Sequence, residues 1–109
     1  MYKSTEKGEL QYGIMKDGVW HKAFTMRPAT LEDVECAVEE AGEDSCSARI
    51  KRHIWARTLI ELGTLPQASI TAETLAHLEA TEYGILDAAE QALRKKLLAA
   101  STVTAGACS

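Results

Sequence analysis

The side chains able to hold a metal, attack a carbonyl or move a proton are few and scattered. The histidines are His21, His53 and His77. A helical metal site needs two ligands one turn apart on one face, as in H-E-x-x-H. Here each histidine falls on a separate predicted element. The thiols Cys36, Cys46 and Cys108 are odd in number and form no C-x-x-C pair, so they read as free thiols of a reducing compartment. Glu35 and Glu39 stand one helical turn apart. A general acid needs one carboxyl kept neutral by burial, whereas an all-acidic face is a solvated one. The chain has no G-x-S-x-G, no glycine-rich phosphate loop and no Cys–His pairing by sequence. The expectation is a binding module and not an enzyme, with no catalytic, cofactor-binding or metal-ligating residues.

Charge and aromatic residues remain as candidates for binding. Every charged residue between Pro28 and Ala48 is acidic: Glu32, Asp33, Glu35, Glu39, Glu40, Glu43 and Asp44. The next segment is basic, with Arg49, Lys51, Arg52 and Arg57 beside His53. One reading is an electrostatic docking surface. The other is two helix faces that attract each other as antiparallel neighbours. Nucleic acid is not expected as a partner, because phosphate contacts dominate such affinity and the net charge is -4. Trp20, Phe24 and Trp55 are the large anchors in a chain with only 6% aromatic residues. Each serves either the core or a binding hot spot. The candidate partner-contacting residues are therefore Trp20, Phe24, Arg49, Arg52 and Trp55.

These residues must be positioned by the elements around them. Leu10–Met15 and Val19–Met26 read as strands about Asp17-Gly18, a strong hairpin signal. A two-residue loop would pair Met15 with Trp20. A three-residue loop pairs Ile14 with Trp20 and gathers Leu10, Tyr12, Ile14, Trp20, Phe24 and Met26 on one apolar face, so burial favours the second register. Pro28 ends the second strand, and Thr30 caps an acidic helix carrying Leu31, Val34, Val38 and Ala41 at helical spacing. Gly42 stops it. A second helix runs from about Ser45 to Leu62, with Ile50, Ile54, Trp55, Leu59 and Leu62 on its apolar face and Gly63 as its stop. Thr71 caps a short third helix bearing Leu75 and Leu78. Thr81 caps a fourth, which reaches about Leu98 with Ile85, Leu86, Ala89, Leu93 and Leu97 inward. The expected fold class is α+β, an N-terminal β-hairpin packed on a bundle of about four helices.

A chain of 109 residues with 46% hydrophobic and 26% charged residues suits one domain. Residues 1–9 are expected to form a flexible N-terminus, 10–98 the globular domain and 99–109 a disordered tail. No stretch reaches the roughly 20 apolar residues that span a bilayer, and the first residues lack a signal peptide's apolar core. No membrane partner and a cytoplasmic location are the expectations.

The order of these segments carries a resemblance. A strand ends in Phe24-Thr25-Met26-Arg27-Pro28, and an acidic helix follows through Leu31-Glu32-Asp33-Val34. A longer helix closes at Leu62-Gly63, and Leu75 and Leu78 precede Glu82-Tyr83 and an Ala/Leu helix. Over about residues 10–97 this resembles the tail assembly protein family of Mu-type phages. That family has a hydrophobic-x-x-Arg-Pro-like segment, an Asp-containing helix start and a Leu-x-x-Leu segment before an acidic–apolar pair. Glu82 stands where the pattern has Asp, and Gly84 follows it. The resemblance implies a tail assembly chaperone in the host bacterial cytoplasm. Its partner would be the tape measure protein, a long helical chain prone to aggregate, with tail tube subunits recruited around it. It implies no catalytic residues. The alternatives are a structural tail or connector component of the virion and a small nucleic-acid-binding regulator.

Overall fold

The computed structural model describes residues 4–108, with side chains through Ala99. The elements are β1 (Glu6–Lys16), β2 (Val19–Met26), α1 (Leu31–Ala41), α2 (Ser47–Thr58), β3 (Leu59–Leu62), α3 (Ala72–Leu75) and α4 (Glu82–Cys108), with a 3-10 turn at Gln67–Ser69. The fold is α+β, as expected: an N-terminal hairpin extended into a three-stranded antiparallel sheet of order β1-β2-β3, with four helices. The core lies between sheet and helices. Leu10, Met26, Leu59, Leu62, Leu86 and Leu93 are its largest fully buried apolar side chains.

The hairpin register differs from the one that burial favoured. Met15 pairs with Trp20 and Lys16 with Val19, so the loop is only Asp17-Gly18. Both residues have positive φ, 53° and 78°, as the primed hairpin turns require. What permits this register is a bulge. Glu9 pairs with Ala23 and Ile14 with His21, so Leu10–Gly13 face Lys22 alone. An odd excess of residues on one strand exchanges its two faces. Leu10 and Ile14 are thus both buried without the three-residue loop, while Tyr12, Met15 and Trp20 point to solvent.

Gly13, at φ 77°, closes the bulge, and a Cβ there would run into the His21 carbonyl. A Cβ on Gly18 would meet nothing within 4 Å. Gly13→Ala should therefore destabilise clearly more than Gly18→Ala, which carries only the left-handed backbone penalty of about 1–2 kcal/mol. Urea midpoints in the reverse order would refute the bulge.

Two boundaries also move. β1 starts at Glu6, paired with Met26, and is held by Lys96, which reaches the Glu6 carboxylate at 2.7 Å and the Thr5 carbonyl at 2.8 Å. The strand thus extends into the segment expected to be flexible. At the other end α4 continues to Cys108, beyond the Leu98 boundary. A helix already nucleated adds residues without a new nucleation cost, and no proline interrupts this one, although Thr102-Val103-Thr104 and Gly106 are poor helix formers. From Ala100 onward the side chains of that extension lie outside the described residues.

The second helix ends at Thr58 and not at Leu62. Leu59–Leu62 forms β3 instead, with Leu59 opposite Met26 and Leu62 opposite Phe24. A short apolar run fits helical and strand periods alike. Here the open edge of β2 decides, because its amides and carbonyls need partners. The Arg27 amide donates to the Thr58 carbonyl at 2.9 Å, and the Gly63 amide to the Ala23 carbonyl at 2.6 Å. Thr25 Oγ1 adds a 2.8 Å bond to the Glu61 carboxylate.

Candidate partner-binding surface

The predicted apolar stripe of α1 does not enter the core. Leu31 is 75% exposed, and Val34 and Val38 are more than a third exposed. The face that α1 turns inward carries Asp33 and Ala37. The helix is fixed by polar chemistry and not by its leucine and valines. Thr30 and Asp33 form a capping box: Thr30 Oγ1 accepts from the Asp33 amide at 3.2 Å, and the Thr30 amide donates to Asp33 Oδ2 at 2.8 Å. Arg27 donates to both Asp33 oxygens, at 2.6 and 3.1 Å. Arg57 Nε donates to Oδ1 at 3.1 Å. The Arg27 guanidinium, ahead of the other contacts, holds the Asp33 carboxyl far below the usual carboxylate range.

With α1 so held, Leu31 and Val34 of its stripe face a groove. Leu31 and Val34 form one wall, Leu93 and Leu97 of α4 the other, and Ile54 and Trp55 of α2 line the space between, about 470 Å³. Thr58 Oγ1, at the same place, is buried without a hydrogen-bond partner among the described residues. Leu97 and Leu98 of α4 are exposed. On the groove lining, Lys51 and Arg94 both pair with Glu90, at 2.6 and 3.2 Å.

A second concavity lies beyond Trp55. It is a cavity of about 290 Å³ lined by Arg49, Arg52, Leu75, Leu78, Tyr83 and Leu86, with Cys46 and Glu79 also on its lining. Trp55 lines both spaces. Its indole packs edge-on to Tyr83 with ring centroids 5.0 Å apart, and its Nε1 donates to Glu90 at 3.3 Å.

The structure thus gathers three of the five candidate residues, Arg49, Arg52 and Trp55, at one cavity. Trp55 is only 3% exposed and contributes as a floor. Phe24 is equally buried and belongs to the core, where its ring covers Gly8. Trp20 is 55% exposed near the hairpin tip, apart from the others, where it lines a shallow hollow with Tyr12 and His77. The stripe of α1 and Leu97 were missing from the candidates. Their helical spacing was visible, but apolar spacing alone reads as core.

Both readings of the charge segregation apply, to different residues. His53 and Arg57 face Glu40 of α1 at 3.3 and 3.8 Å, as antiparallel neighbours would. Arg49 and Arg52 make no ion pair among the described residues. The histidines stay apart: His21 Nδ1 accepts from the Thr64 amide at 3.2 Å, and His53 faces Glu40. Among the described residues, no group of three or more His, Cys, Asp or Glu is placed to hold a metal ion, and no helix is long and apolar enough to cross a membrane.

No family model matches the chain, and neither a curated protein nor a solved structure matches it.

Proposed function

We propose that this chain is a tail assembly chaperone that receives an apolar helical segment of a phage tape measure protein in the groove between α1 and α4. The observation that carries the reading is the exposed pair Leu31 and Val34, which the chain's own core leaves uncovered in a groove shared with Leu97. An amphipathic helix laid between such walls buries its apolar face and hides a surface that would otherwise self-associate. The resemblance of the Arg27-Pro28 segment, the Asp33 helix start and the Glu82-Tyr83 pair to the phage family supplies the partner. Tail tube subunits would join at a later stage of the same assembly.

Co-expression with the tape measure protein of the same phage should keep that protein soluble and yield a complex that survives raised salt with modest loss. The double variant Leu31→Asp, Val34→Asp should abolish the complex while leaving the fold intact, because both side chains are exposed in the free chain. A tape measure protein that stays equally insoluble with and without the chain would refute the reading.

A further inference from the structure

The cavity beyond Trp55 differs chemically from the groove. Leu75, Leu78, Leu86 and the Tyr83 ring give it apolar walls, and two arginines stand among them. Neither Arg49 nor Arg52 has an ion-pair partner among the described residues, and Arg52 Nε is buried without an acceptor. A buried charged donor left unpaired is costly, and its natural complement is an anion. The neighbourhood already favours negative charge. Cys46 caps α2 without a side-chain hydrogen bond, and the first turn of that helix holds no acidic residue. Glu79 is the one carboxylate on the lining; it is exposed and pairs with neither arginine among the described residues. The arginines therefore outnumber the acids at the site, in a chain that is acidic as a whole.

We infer that this cavity docks a partner's peptide segment in which a side-chain carboxylate stands beside a large apolar side chain. The guanidinium forks of Arg52 and Arg49 take the carboxylate, and Leu75, Leu78 and Tyr83 take the apolar side chain. The site shares only Trp55 with the α1–α4 groove and does not rest on the chaperone reading.

Arginine Nε–H groups give their own signals in nitrogen–proton correlation spectra, so the orphaned donor can be watched directly. The ¹⁵N-labelled full chain is titrated with three peptides: acetyl-Phe-Glu-Leu-amide, acetyl-Phe-Gln-Leu-amide and acetyl-Gly-Glu-Gly-amide. The Arg52 Nε–H signal should shift and saturate with the first. The glutamine peptide should bind about tenfold more weakly, since it lacks the charge-assisted bonds. The glycine-flanked peptide should also be weaker, since it leaves the apolar walls empty. Arg49→Gln, at an exposed position, should weaken the first peptide and not the second, and the groove variant Val34→Asp should change neither. Equal binding of the Glu and Gln peptides, equal binding of the two Glu peptides, or an unmoved Arg52 Nε–H signal would each overturn the inference.

Discussion

Glu82→Gln should lower stability by about 3 kcal/mol, read as a shift in the urea midpoint at constant slope. The cause lies in the bulge. Gln11, Tyr12 and Gly13 belong to the stretch of β1 that has no residue-for-residue partner on β2. Their amides need acceptors, and a single side chain provides them. Glu82 Oε1 accepts from Gln11 at 2.9 Å, while Oε2 accepts from Tyr12 at 3.0 Å and Gly13 at 2.8 Å. The residue is fully buried, at 0% exposure. It sits in the first turn of α4, where a negative charge is also favoured by the helix dipole. Glutamine keeps the shape but turns an NH₂ group toward amides that themselves donate, so a buried clash of donors replaces an anion. Hydrogen exchange at the amides of Gln11, Tyr12 and Gly13 should accelerate with it. A variant within about 0.5 kcal/mol of the parent would show that the carboxylate does not hold the bulge.

Asp33→Asn should cost a comparable amount, about 3 kcal/mol at neutral pH, because it leaves two guanidinium groups facing a neutral amide. Arg27 also donates to the Pro28 carbonyl at 3.0 Å and the Arg57 carbonyl at 2.9 Å. The network therefore joins the end of β2, the start of α1 and the end of α2. The pH dependence carries a sign that can be checked. The folded-state pKa of Asp33 lies below its ordinary value, through Arg27 first and then the other hydrogen bonds, against an opposing effect of burial. A depressed carboxyl contributes stability that is fully present above its unfolded pKa of about 3.9 and is lost as pH falls below it. The difference between parent and Asp33→Asn should therefore be constant from about pH 7 to pH 5 and shrink steadily below about pH 4. A difference that stays unchanged into strong acid would mean that the Asp33 charge does not hold these elements together.

Asp33 and Glu82 lie within the segments that carry the family resemblance, and the structure gives both a supporting role. Arg27-Pro28, the Asp33 helix start and Glu82-Tyr83 are places where a charged side chain ties separate elements together. Their neighbours line the two concavities, Leu31 and Val34 beside Asp33 in the groove and Tyr83 beside Glu82 in the cavity.

Local chemistry was legible from the residues themselves. Thr30 and Thr71 cap their helices through bonds to the Asp33 and Thr74 amides. Asp17-Gly18 turns the hairpin, and Gly42 closes α1. Each depends on the conformational freedom or hydrogen-bonding reach of a few adjacent residues, which the sequence states directly. The hairpin register was not legible, because the bulge that sets it is held by Glu82 from the far end of the chain. A register argument confined to two strands has no access to that contact.

The assignment of apolar residues to core or surface was likewise decided in three dimensions. Leu59 and Leu62 suited a helix by spacing, yet the open edge of β2 drew them into a strand. Leu31, Val34 and Val38 have the spacing of a buried face, yet the Asp33 network orients α1 so that they stand outward. The α+β class, the Thr30 and Thr71 caps and the turn are legible in adjacent residues, because they arise from short-range backbone chemistry. The tertiary structure decided the register, the third strand and the uncovered stripe. In each of these, backbone amides or charged groups far apart in the chain had to be satisfied together, and side-chain periodicity gave way to that demand.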